Sequence, residues 1–134
     1  MQLNISSDYA IRAMLFLSLA ERRANAAEIS KAMSVPVNTC KRNLQLLKNA
    51  GLVTPYPGVS GGYTLAKKPE EISLADILRA VGEKLEVNRC VEDDAFCNRF
   101  ATETCPVRRV YVGLQQALDT ALSTTLRQLL DGDG

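Results

Sequence analysis

Three cysteines lie close together in the second half of the chain, in a segment that is otherwise polar and acidic. Cys90, Cys97 and Cys105 fall within RCVEDDAFCNRFATETC, residues 89–105. Such a segment offers no apolar core in which structural thiols would be buried. The gaps of six and seven residues are also longer than the roughly two to four residues typical of structural zinc sites. The pattern therefore favours another kind of metal binding, or redox chemistry.

The composition restricts the setting of that chemistry. The chain has 134 residues and a net charge of +1, which fits one domain with an extension. The longest apolar run, AMLFLSLA, is too short to span a bilayer, and no signal-peptide pattern follows the first residue. We therefore expect a cytoplasmic protein with no membrane partner, in which structural disulfides are rare.

The small net charge conceals a separation of charge along the chain. Residues 1–68 carry nine Lys and Arg against three acidic residues, whereas residues 69–134 carry seven against twelve. A basic half is typical of a protein that binds nucleic acid, although an exposed basic face can also serve only solubility. The chain has no histidine and no evident pairing of a nucleophile with a base, so we do not expect an enzyme.

The basic half has the pattern of a helix-turn-helix. Apolar residues recur at helical spacing in three stretches, residues 6–21, 26–33 and 39–50. Ser6 or Ser7 is the expected cap of the first helix and Asn38 of the third, while Gly51 is the expected end of the third. A tight turn followed by a helix with a basic free face is typical of a DNA-reading unit.

The third predicted helix divides its residues between two faces. Cys40, Leu44 and Leu47 form one apolar stripe, so Cys40 is expected to be a core residue, with a thiol switch as the alternative. The exposed residues that we assign to DNA binding are Asn38, Thr39, Lys41, Arg42, Gln45 and Lys48. Arg42 suits a bidentate contact with guanine, whereas Lys48 suits a phosphate.

A β-hairpin is predicted directly after this helix. LVTPYPGVSGGYTLAKK contains two short strand-like stretches around a turn rich in Pro and Gly. A hairpin in this place is a wing, and we assign to DNA binding its residues Ser60, Gly61, Gly62 and Tyr63. The two glycines would permit close approach of the main chain to DNA.

The rest of the chain predicts three further helices. Ser73 opens the first, a long helix runs from Pro106 to about residue 123, and TTLRQLL forms a short last helix. The long helix carries an apolar stripe wider than a lone helix on a protein surface requires. One side of it would pack on its own domain and the other on a partner chain, although a wholly intramolecular core is the alternative.

The predicted fold is mostly α-helical with a small β-hairpin wing, a winged helix-turn-helix domain joined to a long dimerisation helix. We divide the chain into a DNA-binding domain (1–83), a cysteine-bearing loop (84–105), and the dimerisation and C-terminal helices (106–134).

Taken together, these pieces resemble the IscR/NsrR-type (Rrf-two) family of bacterial transcription regulators. The resemblance covers essentially the whole chain and is carried by AGLV followed by GGYTLAK, by EEISLADILRAV, and by spaced cysteines before a long helix. It implies a cytoplasmic winged-helix homodimer that binds palindromic operators in double-stranded DNA, with repression among its expected roles.

The resemblance also implies an iron–sulfur cluster on the three cysteines, because thiolates are the soft ligands that such clusters require. Some relatives hold a histidine three residues after the last cysteine, where this chain has Arg108. That departure favours a 4Fe-4S over a 2Fe-2S cluster. Asp8 matches an aspartate that nitric-oxide-sensing members donate across the dimer, which makes it the candidate fourth metal ligand. The alternative is that Asp8 only pairs with Arg12, one helical turn away.

Two other functions are weighed against the cluster-bearing regulator. The first is a winged-helix regulator without a cluster, which signals by a thiol/disulfide change or through a protein partner. The second is a small iron–sulfur redox protein, which would have no use for a basic helix-turn-helix and a wing.

Overall fold

The computed structural model describes residues 2–132 and confirms a mostly helical fold with one antiparallel hairpin. Its elements, in chain order, are α1 (Ile5–Ala20), α2 (Ala26–Met33), α3 (Val37–Asn49), β1 (Val53–Tyr56), β2 (Gly62–Leu65), α4 (Leu74–Ala80), α5 (Pro106–Leu122) and α6 (Leu126–Asp131). Short 3-10 turns precede α4 at Pro69–Glu71 and lie within the cysteine-bearing segment at Arg89–Val91. The winged helix-turn-helix predicted from the sequence is therefore confirmed.

One hydrophobic core joins five of the helices. Its fully buried side chains include Met14 of α1, Ile29 of α2, Leu44 of α3, Ile77 of α4 and Leu126 of α6. Burying a side chain of this size contributes about 1.5–3 kcal/mol. The last short helix thus returns to pack on the first, so both ends of the described chain are fixed to the same core.

The start of α1 differs from the prediction. Asn4, rather than Ser6 or Ser7, is the N-cap, and its side-chain oxygen accepts a hydrogen bond from the main-chain N–H of Ser6 at 2.9 Å. Both serines lie inside the helix, because Asn4 offers an equally good capping side chain and lets the helix begin at Ile5. The expectation of a serine cap was wrong.

The start of α3 also differs, whereas its end agrees. Pro36 is the N-cap and provides no capping side chain, so α3 begins at Val37, and Asn38 lies within the first turn. The expectation that Asn38 caps the helix was wrong. Gly51 follows the helix with a φ of 77°, a left-handed conformation that favours glycine and ends a helix.

The wing is tied to the loop between α1 and α2. Strands β1 and β2 pair with Val53 opposite Leu65 and with Tyr56 opposite Gly62. Ala24 and Tyr63 form an additional bridge, with main-chain N–H to carbonyl hydrogen bonds of 3.1 and 2.9 Å. The hairpin is therefore held on one side by the body of the domain.

Helix α5 stands apart from this core. None of its residues is buried within the described chain, and three members of its apolar stripe, Val107, Val110 and Leu114, are 50%, 68% and 45% exposed. Gln115 attaches the helix to the preceding loop, accepting from the N–H of Val87 at 2.8 Å and donating to the carbonyl of Leu85 at 2.9 Å. None of the helices in residues 2–132 combines the length and hydrophobicity that crossing a membrane demands.

Candidate nucleic-acid interface and cysteine cavity

The free face of α3 carries the residues predicted to meet DNA. Cys40, Leu44 and Leu47 are at most 1% exposed, and this buried stripe turns the opposite side of the helix outward. The exposed residues on that side are Asn38, Lys41, Arg42, Gln45 and Lys48, with Thr39 half-buried. The outward face therefore offers three cations and two amide side chains along one helix.

The position of α3 depends on polar contacts with the start of α1, which the sequence reading missed. Asn43 is only 1% exposed, and its amide donates to the main-chain carbonyl of Ser6 at 2.8 Å. Arg42 donates from Nη2 to the hydroxyl of Ser6 at 2.9 Å. The signal in the sequence was a polar residue beside the apolar stripe, because a buried amide requires a hydrogen-bond partner.

Asp8 lies on α1 and pairs with Arg12. Its carboxylate is 3.1 Å from the Arg12 guanidinium, and half of the Asp8 side chain is exposed. Arg12 also donates from Nη1 to the carbonyl of Met33 at 3.2 Å, at the end of α2. Asp8 is thus connected, through one side chain, to the turn that leads into α3.

The predicted wing residues lie on and beside the turn of the hairpin. Ser60 is exposed, whereas Gly61, Gly62 and Tyr63 are half-buried. The fold itself requires glycine at both positions. A Cβ on Gly61 would lie 2.1 Å from the carbonyl oxygen of Tyr56. A Cβ on Gly62, whose φ is 132°, would lie 2.7 Å from the main chain of Ala24. Both glycines are therefore needed for the conformation of the wing, independently of any contact with DNA.

The three cysteines of the loop line one open cavity of about 340 Å³. The wall is completed by residues of the loop and by Arg108 and Tyr111 of α5. Within residues 2–132, no three cysteine or acidic side chains converge closely enough to hold a metal ion. The thiols therefore face a shared space without meeting at one point.

The loop between α4 and α5 is held by short-range polar contacts. Arg89 pairs with Asp94 and, at 3.6 Å, with Glu92, which also binds Lys84 at 3.2 Å. These ion pairs are largely exposed, and such pairs contribute about 0–1 kcal/mol each. The loop is therefore held by local contacts and gains little stabilisation from burial.

The thiols occupy two different environments. Main-chain N–H groups of Ala101 and Arg99, helped by the charge of Arg99, lower the pKa of Cys97. Burial raises the pKa of Cys40 on the inner face of α3. Because the thiolate is the form that binds metals and reacts with oxidants, the loop is suited to that chemistry and the core thiol is not.

The donor set of the cavity fits an iron–sulfur cluster. Three thiols from one loop share the wall, and soft thiolate ligands are what such clusters require. Asp8 of the same chain is not in this wall. Leu3, just before α1, lines a different cavity with Leu118. Leu118 lies about 20 Å from Cys105 along α5, at 1.5 Å per residue.

Comparison with known proteins places this geometry in context. A family model described as "Rrf2: Iron-dependent Transcriptional regulator" matches residues 3–132. The transcriptional regulator NsrR of Geobacillus kaustophilus (strain HTA426) is 31% identical, over 98% of this chain and 90% of that protein.

Two solved structures share the fold. The structure of CymR, the global cysteine regulator of B. subtilis, has a TM-score of 0.78 at 24% identity and covers 96% of this chain and 95% of that one. The structure of T. potens IscR has a TM-score of 0.76 at 21% identity and covers 100% of this chain and 89% of that one.

Proposed function

The chain belongs to the Rrf2 family of transcriptional regulators, and on this premise we propose that it is a DNA-binding homodimer that senses nitric oxide or redox state through an iron–sulfur cluster. The observation that carries the proposal is the cavity lined jointly by Cys90, Cys97 and Cys105. A 4Fe-4S cluster is favoured, because the wall contains no imidazole and Arg108 lies where a histidine ligand would be needed for the two-iron type.

The DNA-binding part of the proposal rests on the outward face of α3 and on the wing. Arg42 is the residue that we assign to base recognition, since guanidinium groups make bidentate contacts with guanine in the major groove. Lys48 is assigned to a phosphate, which contributes affinity without sequence choice. Two such helices in a dimer would read half-sites about 34 Å apart, or one helical turn of DNA.

The dimer is supported by the uncovered stripe of α5. Val107, Val110 and Leu114 expose 45–68% of their surface in a single chain, and a helix face of this kind is normally buried against another element. A second copy of α5 would cover it. The cysteine loop precedes α5 directly, so each loop would lie at an end of this interface.

The proposed fourth ligand, Asp8 of the partner subunit, would connect the cavity with the DNA-facing helix. When bound, a cluster would supply a centre that reacts with oxygen or nitric oxide. For Asp8 to serve as ligand it has to leave Arg12, whose guanidinium also binds the Met33 carbonyl before α3. Coupling between two sites is typically about 1–3 kcal/mol, a 5- to 150-fold change in operator affinity.

The test is operator binding by anaerobically purified protein before and after titration with nitric oxide. We expect operator affinity to change by at least about fivefold, and a Cys90→Ala/Cys97→Ala/Cys105→Ala variant to bind with one affinity throughout. Asp8→Asn should retain DNA binding but reduce the response. A wild-type response that survives in the triple variant would contradict the proposal.

A second candidate function is a cluster-free regulator that responds by thiol oxidation. It is favoured by the absence of converging metal ligands within residues 2–132 and by the accessible thiols of the loop. In that case two loop cysteines would give up two protons and two electrons to an oxidant such as a peroxide and form a disulfide. Operator affinity would then follow the disulfide, and the protein would contain no iron when purified without oxygen.

A further inference from the structure

Arg108 has a place in the cysteine cavity that the proposed ligands do not explain. It lies in the first turn of α5, three residues after Cys105, and its half-buried side chain lines the cavity. Its Nε donates a hydrogen bond to the main-chain carbonyl of Cys90 at 3.1 Å. One side chain therefore attaches the first cysteine of the loop to the helix that begins directly after the last one.

Gln115 of α5 also holds the start of the loop, at Leu85 and Val87, but these contacts lie before Cys90. In the described part of the chain, the main-chain hydrogen bonds within residues 88–105 join groups at most four residues apart, as from Cys105 to Ala101. The Arg108–Cys90 hydrogen bond spans eighteen residues. Closing a loop of this length opposes chain entropy, so a contact between its ends increases the fraction of time for which Cys90 and Cys105 share one cavity.

The side chain also brings a permanent positive charge to the cavity. Among the ion pairs found in residues 2–132, those of the loop join Arg89 to Asp94 and Glu92, and Lys84 to Glu92. No carboxylate in that part of the chain pairs with Arg108. Its charge is therefore available to whatever anionic groups occupy the cavity, beginning with the thiolates.

We propose that Arg108 is a positioning residue of the cysteine site. Its hydrogen bond holds Cys90 beside Cys105 before any ligand is bound, and its charge offsets the negative charge of the ligated centre. The first role is independent of the proposed cluster, whereas the second rests on it. The two roles are therefore tested separately.

Cross-linking of the metal-free protein tests the first role. In a Cys97→Ser background, a short bifunctional thiol reagent should couple Cys90 to Cys105 within one chain, as identified by peptide mass. Arg108→Met should slow this coupling about tenfold, in line with the loss of one hydrogen bond from a charged donor. Arg109→Met, which removes the same charge from the adjacent exposed position, should leave the rate unchanged.

Several results would overturn this role. If the background protein does not couple the two cysteines, or if Arg108→Met couples them as fast as the background, Arg108 does not position Cys90. Equal slowing in the Arg108 and Arg109 variants would assign the effect to helix charge alone. Far-ultraviolet circular dichroism of each variant verifies that α5 is intact, and Arg108→Lys, which keeps a donor and the charge, should recover part of the rate.

The reduction potential of cluster-loaded protein tests the second role. A nearby cation stabilises the more negative, reduced state, so Arg108→Met should shift the potential to lower values, while Arg108→Lys and Arg109→Met should stay close to the wild type. A potential that is the same in all four proteins would contradict the charge role. If no cluster can be loaded at all, the proposed function and this second role fail together, and the cross-linking result still decides the first.

Discussion

The winged-helix body and the cysteine-bearing segment of this protein are stabilised in opposite ways. The body buries Met14, Ile29, Leu44, Ile77 and Leu126 completely. By contrast, none of residues 86–105 is buried, and the segment is held by exposed ion pairs, local turns and the hydrogen bonds that join Val87 and Cys90 to α5. The difference indicates that the body provides most of the folding stability. The proposed chemistry lies in the segment that contributes least to that stability. Such a segment is free to respond to a ligand without unfolding the rest.

Shortening one apolar side chain in each region should give the largest difference between them. Leu44→Ala should lower the free energy of unfolding by about 2–5 kcal/mol, because the substitution leaves a cavity in a packed core. Phe100→Ala removes a larger side chain that is 94% exposed and should change the value by less than about 0.5 kcal/mol. Urea denaturation of the metal-free protein measures both, and similar costs would refute the contrast.

Helix α5 links the two regions, and a substitution on its apolar stripe should weaken the proposed dimer. Leu114→Asp would place a carboxylate in the proposed dimer contact, and we expect the dimer dissociation constant to rise about a hundredfold, or roughly 3 kcal/mol. Gln116→Asp introduces the same group on the opposite face and should have little effect. Sedimentation over a dilution series distinguishes the two variants, and an unchanged Leu114→Asp dimer would refute the assigned interface.

The outward surface of α3, which we propose to bind DNA, should give a smaller effect that depends on the DNA sequence. Arg42→Ala should cost about 1–3 kcal/mol on a specific operator and relax discrimination there, as expected when a base contact is lost. Lys48→Ala should weaken specific and non-specific DNA equally and reduce the salt dependence by about one counterion. Fluorescence anisotropy at several salt concentrations measures both. Equal losses on all sequences for Arg42→Ala would exclude a base-reading role.

The reactivity of the thiols should also differ between the body and the cysteine-bearing segment, and this test needs no substitution. The pKa of Cys40 is raised by burial and that of Cys97 is lowered by main-chain N–H groups. At neutral pH the folded, metal-free protein should therefore be alkylated at Cys97 well before Cys40, and urea should remove the difference. As the pH passes the ordinary thiol pKa, the unfolded chain loses the Cys40 proton first, so the folded state becomes slightly less stable. Mass spectrometry of time points gives the order, and faster labelling of Cys40 would contradict it.

Much of the body could be predicted from local patterns. Apolar spacing gave α1, α2 and α3 within two residues at each end, because a helix that packs on one core needs one apolar face. The caps of α1 and α3 were predicted wrongly. At α1, Asn4, Ser6 and Ser7 are all able to cap, and their sequence does not decide which of them does. At α3, the helix begins earlier than predicted, directly after Pro36.

The polar contacts of the site were beyond such patterns. The cysteine spacing indicated a shared site, but the hydrogen bond from Arg108 to Cys90 joins residues eighteen positions apart. The contact from Asn43 to Ser6 spans thirty-seven. No local rule of helices or turns connects residues at such distances, because they meet only after the helices have packed.

The proposed sensing depends on an inorganic iron–sulfur centre held by the loop thiols. The most direct measurement is the amount of iron and acid-labile sulfide per dimer in protein purified without oxygen, set against the Cys90→Ala/Cys97→Ala/Cys105→Ala variant. Our expectation is iron and sulfide in equal amounts in the wild type and neither in the variant. Iron-free wild-type protein that still changes its operator affinity in response to nitric oxide would contradict it.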